Sequence, residues 1–234
     1  KARPVLVDNY TTNASIDMGT LYLEFTRGFV IVEALFDGHV FRLVDTHLEV
    51  SGSEDSTSRL VQSAQMSELI ATLAYLDYQR GAKPTIMVGD LNSSPEDLPG
   101  TVDHPDYGLL DYTPPYMQAV AAGYLDAWLL QRHHDEGYTS GFDEDVSDPN
   151  AELTSRIDFI FLHPQALRIK KVKCRVVGDE VSDMTPSGLW PSDHAGVVAD
   201  VRFSKPKCKK AKDRRYRDEH GQDTSNQHGS GRWD

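Results

Sequence analysis

Cysteine is nearly absent from this 234-residue chain: Cys174 and Cys208 lie far apart and outside any CxxC or Cys/His array, which excludes a disulfide framework and a cysteine-built zinc site. Cys174 alternates with Val172 and Val176 and is expected to pack as a small apolar strand residue. Long apolar runs are also lacking, and none approaches the roughly 20 residues of a membrane-spanning helix. The segment 1–20 has none of the charged, apolar and small-residue zones of a signal peptide, and the first residue is Lys1, so localisation is not readable from the start. No internal repeat is present. Positive charge is scarce in the body: residues 1–204 hold 15 Lys and Arg against 31 Asp and Glu, a net of −16, whereas residues 205–234 hold nine against five. So acidic a body repels an extended polyanion unless cations or a local basic patch offset its field, yet clustered acids are also how a protein holds metal ions.

What is present fits one sizeable domain: 39% of residues are hydrophobic and 26% charged. Residues 1–20 read as a loop leading into structure. Residues 21–26, 29–36 and 39–44 are β-branched and aromatic runs, and Asp37-Gly38 between the last two is a two-residue hairpin signal. Phe29-Val30-Ile31-Val32 is apolar on both alternating faces, as in a strand covered on both sides. Residues 59–80 read as a helix, with Met66, Leu69, Leu73 and Leu76 at spacings of three and four, Gly81 just past the end and Pro84 following. Gln62 and Gln65 on it are assigned structural roles. The helix returns the chain to the run Thr85-Ile86-Met87-Val88, giving the strand-helix-strand order of a layered α/β protein. Residues 93–112 read as irregular, 115–123 as a short helix opened by proline, and 131–154 as a polar loop. Strands are expected again at 156–162, 167–177 and 195–203. Residues 205–217 carry eight Lys or Arg and one acid, followed by a polar stretch to 234, so the chain divides into a domain at 1–204 and a tail at 205–234 expected to be disordered.

Four apolar runs end in chemistry: Asp45-Thr46-His47, Gly89-Asp90-Leu91-Asn92, Ser155-Arg156-Ile157-Asp158 and Ser192-Asp193-His194. Singly they are weak, because Asp and Asn are ordinary turn residues. In this order they resemble the endonuclease/exonuclease/phosphatase family, which includes deoxyribonuclease I, over about residues 19–203. Ala122-Gly123-Tyr124-Leu125-Asp126-Ala127-Trp128 and Gly137-Tyr138-Thr139 look like its bacterial members. The resemblance implies a deoxyribonuclease I-like, four-layer α/β/β/α sandwich of two mixed, mainly antiparallel sheets with helices outside. It also implies a metal-dependent phosphoester hydrolase of phosphodiesterase or nuclease type.

Hydrolysis of a phosphate ester needs a deprotonated water, a sink for charge on the phosphoryl oxygens and help for the leaving oxygen. His194 is the candidate base, since imidazole titrates near neutrality, and Asp158, a lone acid in an apolar strand, is the partner that would fix its tautomer. Asp193 suits a metal ligand, with Asp90, for Mg²⁺ or Mn²⁺ completed by waters and substrate oxygens. Asp90 and Asn92 would orient the attacking water, contact phosphate or hold a second ion. His47 matches the family's second histidine, expected to donate to a phosphate oxygen. Arg27 is a candidate phosphate contact or a solvated turn residue, and Glu49 a metal candidate or an exposed loop acid. His104 and His133-His134 lie in polar loops without ligand spacing and are assigned to the surface.

The family's N-terminal strand ending in Asn, and the Gln-Glu pair whose carboxylate is a principal Mg²⁺ ligand, have no counterpart here. Asn9 and Asn13 lie in loop-like sequence, and no Gln-Glu pair occurs. Two expectations follow: the chain is the C-terminal part of a metal-dependent phosphodiesterase, or it is a non-catalytic remnant or interaction module that kept the scaffold and lost metal binding. Retention of both histidines and all four motifs favours the first. The substrate stays open among nucleic acid, a phospholipid headgroup and a small phosphodiester.

Overall fold

The computed structural model describes residues 1–51, 57–132, 135–165 and 167–204. Its strands are β1 (Ala2–Asn9), β2 (Ala14–Asp17), β3 (Tyr22–Phe25), β4 (Gly28–Phe36), β5 (His39–His47), β6 (Thr85–Asp90), β7 (Gly100–His104), β8 (Gly108–Tyr112), β9 (Leu125–Asp126), β10 (Asp158–His163), β11 (Arg168–Val177) and β12 (Gly196–Ser204). The helices are α1 (Thr57–Arg80) and α2 (Pro115–Ala121). Six strands form the main sheet in the order β1-β4-β5-β6-β10-β9, while β11 and β12 pair as a second sheet. Only β5 and β6 run parallel in the main sheet, because α1 carries the chain across between them.

Patterning decides the faces. Met66, Leu69, Leu73 and Leu76 line the buried stripe of α1 and meet Phe29, Ile31, Val44, Met87, Phe159 and Phe161, which alternate along β4, β5, β6 and β10. Truncating any one of these to Ala would cost about 2–5 kcal/mol. On the opposite face, Val172, Cys174, Ala199 and Val201 of the second sheet pack against Ile86, Ile160 and Leu162. The described residues therefore make three layers of the sandwich: helices, main sheet and two-stranded second sheet.

Several expectations shift. Residues 1–20 are not a loop: β1 pairs antiparallel with β4 along an edge of the main sheet, and β2 pairs with β3. The segment 93–112 is not irregular throughout, since β7 and β8 form a hairpin. Nor is β4 covered on both sides: Phe29 and Ile31 are buried, but Val30 is 38% exposed. The second sheet lies over β6 and β10, so Val7, Val30 and Leu43, which share a face by register on β1, β4 and β5, keep solvent contact. The Asp37-Gly38 hairpin forms as expected, both residues taking positive φ (46° and 78°), the backbone that a two-residue turn of right-handed twist demands. Cys208, His133-His134 and the tail at 205–234 lie outside the described residues.

Candidate functional site

Register builds the site. His47 is the partner of Asp90 across the parallel β5–β6 pair, and Asp158 is the partner of Asp90 across the antiparallel β6–β10 pair. Three polar side chains from three neighbouring strands thus fall in one row on one face, at the ends where β5 and β6 leave the sheet. Close approach of β5 and β6 depends on Gly89: its φ is +142°, and a Cβ there would meet the Thr46 carbonyl oxygen at 1.8 Å. No side chain fits, so the residue before Asp90 has to be glycine.

His194 arrives from the loop before β12. Its Nδ1 lies 3.0 Å from Asp158 Oδ2 and 3.9 Å from Asp90 Oδ2. Thr139, fully buried, ties both partners together: its Oγ1 accepts from the backbone N–H groups of Ile157 and Asp158, each at 3.3 Å, and its carbonyl accepts from Ala195 N–H at 2.8 Å. Ser140 bridges to both Ser155 and His194. Among the candidate residues, Thr139 was not singled out by sequence reasoning; its place in the Gly137-Tyr138-Thr139 motif was the only signal.

On the other side of Asp90, its Oδ2 lies 3.4 Å from His47 Nε2, and its Oδ1 accepts from Asn92 N–H at 2.7 Å. Asn92 holds a left-handed backbone, φ 47°, a conformation that Asn tolerates better than most residues. Its Nδ2 donates to Leu48 O at 3.0 Å and reaches His47 Nε2 at 3.2 Å. Gln62 of α1 donates to the carbonyl oxygens of Glu49, Leu91 and Asn92, locking both site loops to the helix. Arg27 Nη1 sits 3.2 Å from His47 Nδ1, and Nη2 lies 3.6 Å from Glu49 Oε1. Glu49 is buried rather than exposed, and its Oε2 has no hydrogen-bond partner among the described residues.

Burial pushes the Asp90 carboxyl above the usual carboxylate range, and the charge of Asp158 pushes the same way; the Asn92 N–H and the two histidines oppose this without cancelling it. Asp90, Asp158 and His194 form the one group of three potential metal ligands among the described residues, with donor atoms all within 4.8 Å of one another. Two carboxylates on a partly buried row, one of them raised by the other's charge, fit a hard divalent cation, which takes oxygen ligands and relieves that repulsion. Asp193 is exposed, accepts from Ser192 Oγ at 3.0 Å and is not in that group. His104 stays in the β7–β8 hairpin, where its ring packs at a tilt against Tyr107.

A layered α/β sandwich with a His, Asp and Asp row at its strand ends is of the deoxyribonuclease I-like class. The sequence pattern of the Endonuclease/Exonuclease/phosphatase family matches residues 9–194, and the chain belongs to that family. Sequence comparison with curated proteins found no match. Among solved structures, truncated TDP2 of Caenorhabditis elegans superimposes with a TM-score of 0.51 at 20% identity, over 85% of this chain and 67% of that one. An endonuclease/exonuclease/phosphatase protein of Bacteroides vulgatus gives 0.52 at 17%, over 87% and 67%. The mannosyl-6-phosphatase of Bacteroides thetaiotaomicron gives 0.50 at 16%, over 88% and 68%. The chain thus spans about two thirds of these three chains.

Proposed function

We propose that this chain carries the catalytic groups of a metal-dependent phosphoester hydrolase acting on phosphodiesters. The observation that supports this most is the 3.0 Å pair of His194 Nδ1 and Asp158 Oδ2 beside Asp90. In this reading the Nδ1–H of His194 donates to Asp158, which leaves Nε2 to take the proton of the attacking water. Asp158 fixes the tautomer and balances the imidazolium that forms. His47, flanked by Arg27 and Asn92, donates to a phosphoryl oxygen, and Arg27 adds positive charge where the transition state gathers negative charge. Asn92 and Asp90 orient the water, and Asp90, with Asp158 in the same donor group, would hold Mg²⁺ or Mn²⁺, while the exposed Asp193 lies outside that group. When bound, that cation supplies a positive counterpart to the phosphoryl oxygens.

The substrate is a phosphate ester: nucleic acid, a phospholipid headgroup or a small phosphodiester. Similar structures differ in kind, one being a mannosyl-6-phosphatase, and a shared fold does not choose among substrates. The test is hydrolysis of bis(p-nitrophenyl) phosphate and p-nitrophenyl phosphate by the chain, together with any residues its gene supplies upstream. Turnover of the diester with Mg²⁺ or Mn²⁺, stopped by chelator, is expected. Turnover unchanged in excess chelator, or of the monoester alone, would overturn the reading.

A further inference from the structure

The body has few cations, and a group of them shares two paired strands. Of the 15 Lys and Arg in residues 1–204, five lie on β11 (Arg168, Lys170, Lys171, Lys173 and Arg175) and one, Arg202, on β12; all six are exposed. Val172 and Cys174 turn inward to the main sheet, so alternation sends Lys171, Lys173 and Arg175 outward. Lys171 is the cross-strand partner of Arg202, an arrangement of like charges that destabilises a sheet. Asp200, the cross-strand partner of Lys173, lies beside them, and Arg175 at the other end of the row lines a separate depression with Asp135, Glu136, Glu152 and Asp179. Lys171, Lys173, Asp200, Val201 and Arg202 line a depression of about 310 Å³. Among the described residues none of Lys171, Lys173, Arg175 and Arg202 has an ion pair, whereas Arg3, Arg27, Arg42, Lys83 and Arg156 all do. Unpaired cations set opposite one another lower their energy when an anion comes between them.

We infer that the outer face of β11 and β12 binds the phosphate backbone of a nucleic-acid strand. Lys171, Lys173 and Arg175 follow one another at about 6.7 Å, twice the rise of a strand residue, and make a line rather than a disc. A linear polyanion can follow that line over Lys171, Lys173 and Arg202, meeting Asp200 beside Lys173 and the acids that share a depression with Arg175 at one end only. A flat anionic membrane would face the acidic flanks as well. The outward positions of β11 carry no aromatic residue to stack a base, so contact is to phosphates and independent of sequence. Val177, at the Arg175 end of β11, pairs with Gly196, two residues after His194, so the line leads away from the catalytic end of the molecule.

The inference does not rest on the proposed chemistry, because binding is read with chelator present. The experiment is fluorescence anisotropy of a labelled oligothymidylate with the full chain across a salt series, for the wild type, for Lys171→Gln/Lys173→Gln and for Arg80→Gln, an exposed cation at the end of α1. The double variant is expected to bind more weakly and to lower the salt slope by about 1.4, at about 0.7 per phosphate contact on single strands. Arg80→Gln is expected to match the wild type, and thermal melts should show all three folded. Absence of wild-type binding at low salt, or equal affinity and slope in the double variant, would overturn the inference. So would loss of binding to phosphatidylserine vesicles in the double variant with oligothymidylate binding untouched, which would make the face a membrane contact.

Discussion

At the residue scale the site sets stability against function. Asp90 has its carboxyl raised by burial first and by Asp158, so its ionisation costs folding free energy at every pH above its own titration. Asp90→Asn should therefore raise the metal-free melting temperature by a few degrees at pH 7, and the gain should fade as pH falls and the wild-type carboxyl takes up its proton. The same change should abolish Mn²⁺ binding measured by calorimetry. A lower melting temperature at pH 7 would show that Asp90 is not under the repulsion described. Gly89→Ala brings the opposite result: with a Cβ 1.8 Å from Thr46 O, the β5–β6 pairing cannot persist unchanged, and loss of cooperative folding or destabilisation beyond about 4 kcal/mol is expected from urea titration. Individual site residues were legible in sequence where an acid or histidine flanked an apolar run. Thr139 was not, because a buried threonine whose bonds run to a distant strand leaves no local pattern.

At the scale of elements, strong periodicity was readable and weak burial was not. Helix α1 and strands β4, β5, β6, β10, β11 and β12 bury one face each and announce it by alternation or by spacing of three and four. Strand β1 has a single neighbour, a register shift beside Pro4 and only two half-buried residues, so its sequence resembles a loop while backbone pairing to β4 holds it. The β7–β8 hairpin buries only Val102 and is hidden for the same reason. One element-scale prediction concerns the buried Glu33 of β4. Burial alone would raise its carboxyl, but hydrogen bonds and charge from Arg3 and Lys83 outweigh that and hold it below the usual range. A depressed carboxylate stabilises the fold above its unfolded titration range, and this is lost as pH falls through the folded one. Glu33→Gln should destabilise the chain at pH 7, and the difference from wild type should shrink below about pH 4.3, the range of an ordinary glutamate. Equal melting temperatures at pH 7 would contradict it. We further propose that residues 1–204 form the folded unit, so that ending the chain at Ser204 leaves the melting temperature unchanged; a large drop would show that the tail contributes to the core.

At the scale of the whole molecule, the family and the α/β sandwich were readable because four motifs occur in the order the fold requires, and the structure lines up three of their residues across adjacent strands. The extent of the second sheet was not readable, since apolar strands look alike whether one face is covered or two. The chemistry depends on whether His194 acts as the base. The most direct measurement is the rate of bis(p-nitrophenyl) phosphate hydrolysis in saturating Mg²⁺, by the wild type and by His194→Ala, with and without added imidazole. His194→Ala is expected to lose about 10²–10⁴ in rate with an unchanged fold, imidazole to restore part of that loss, and chelator to abolish turnover in every case. A His194→Ala variant that keeps near wild-type turnover, or whose lost turnover imidazole leaves unmoved, would contradict it.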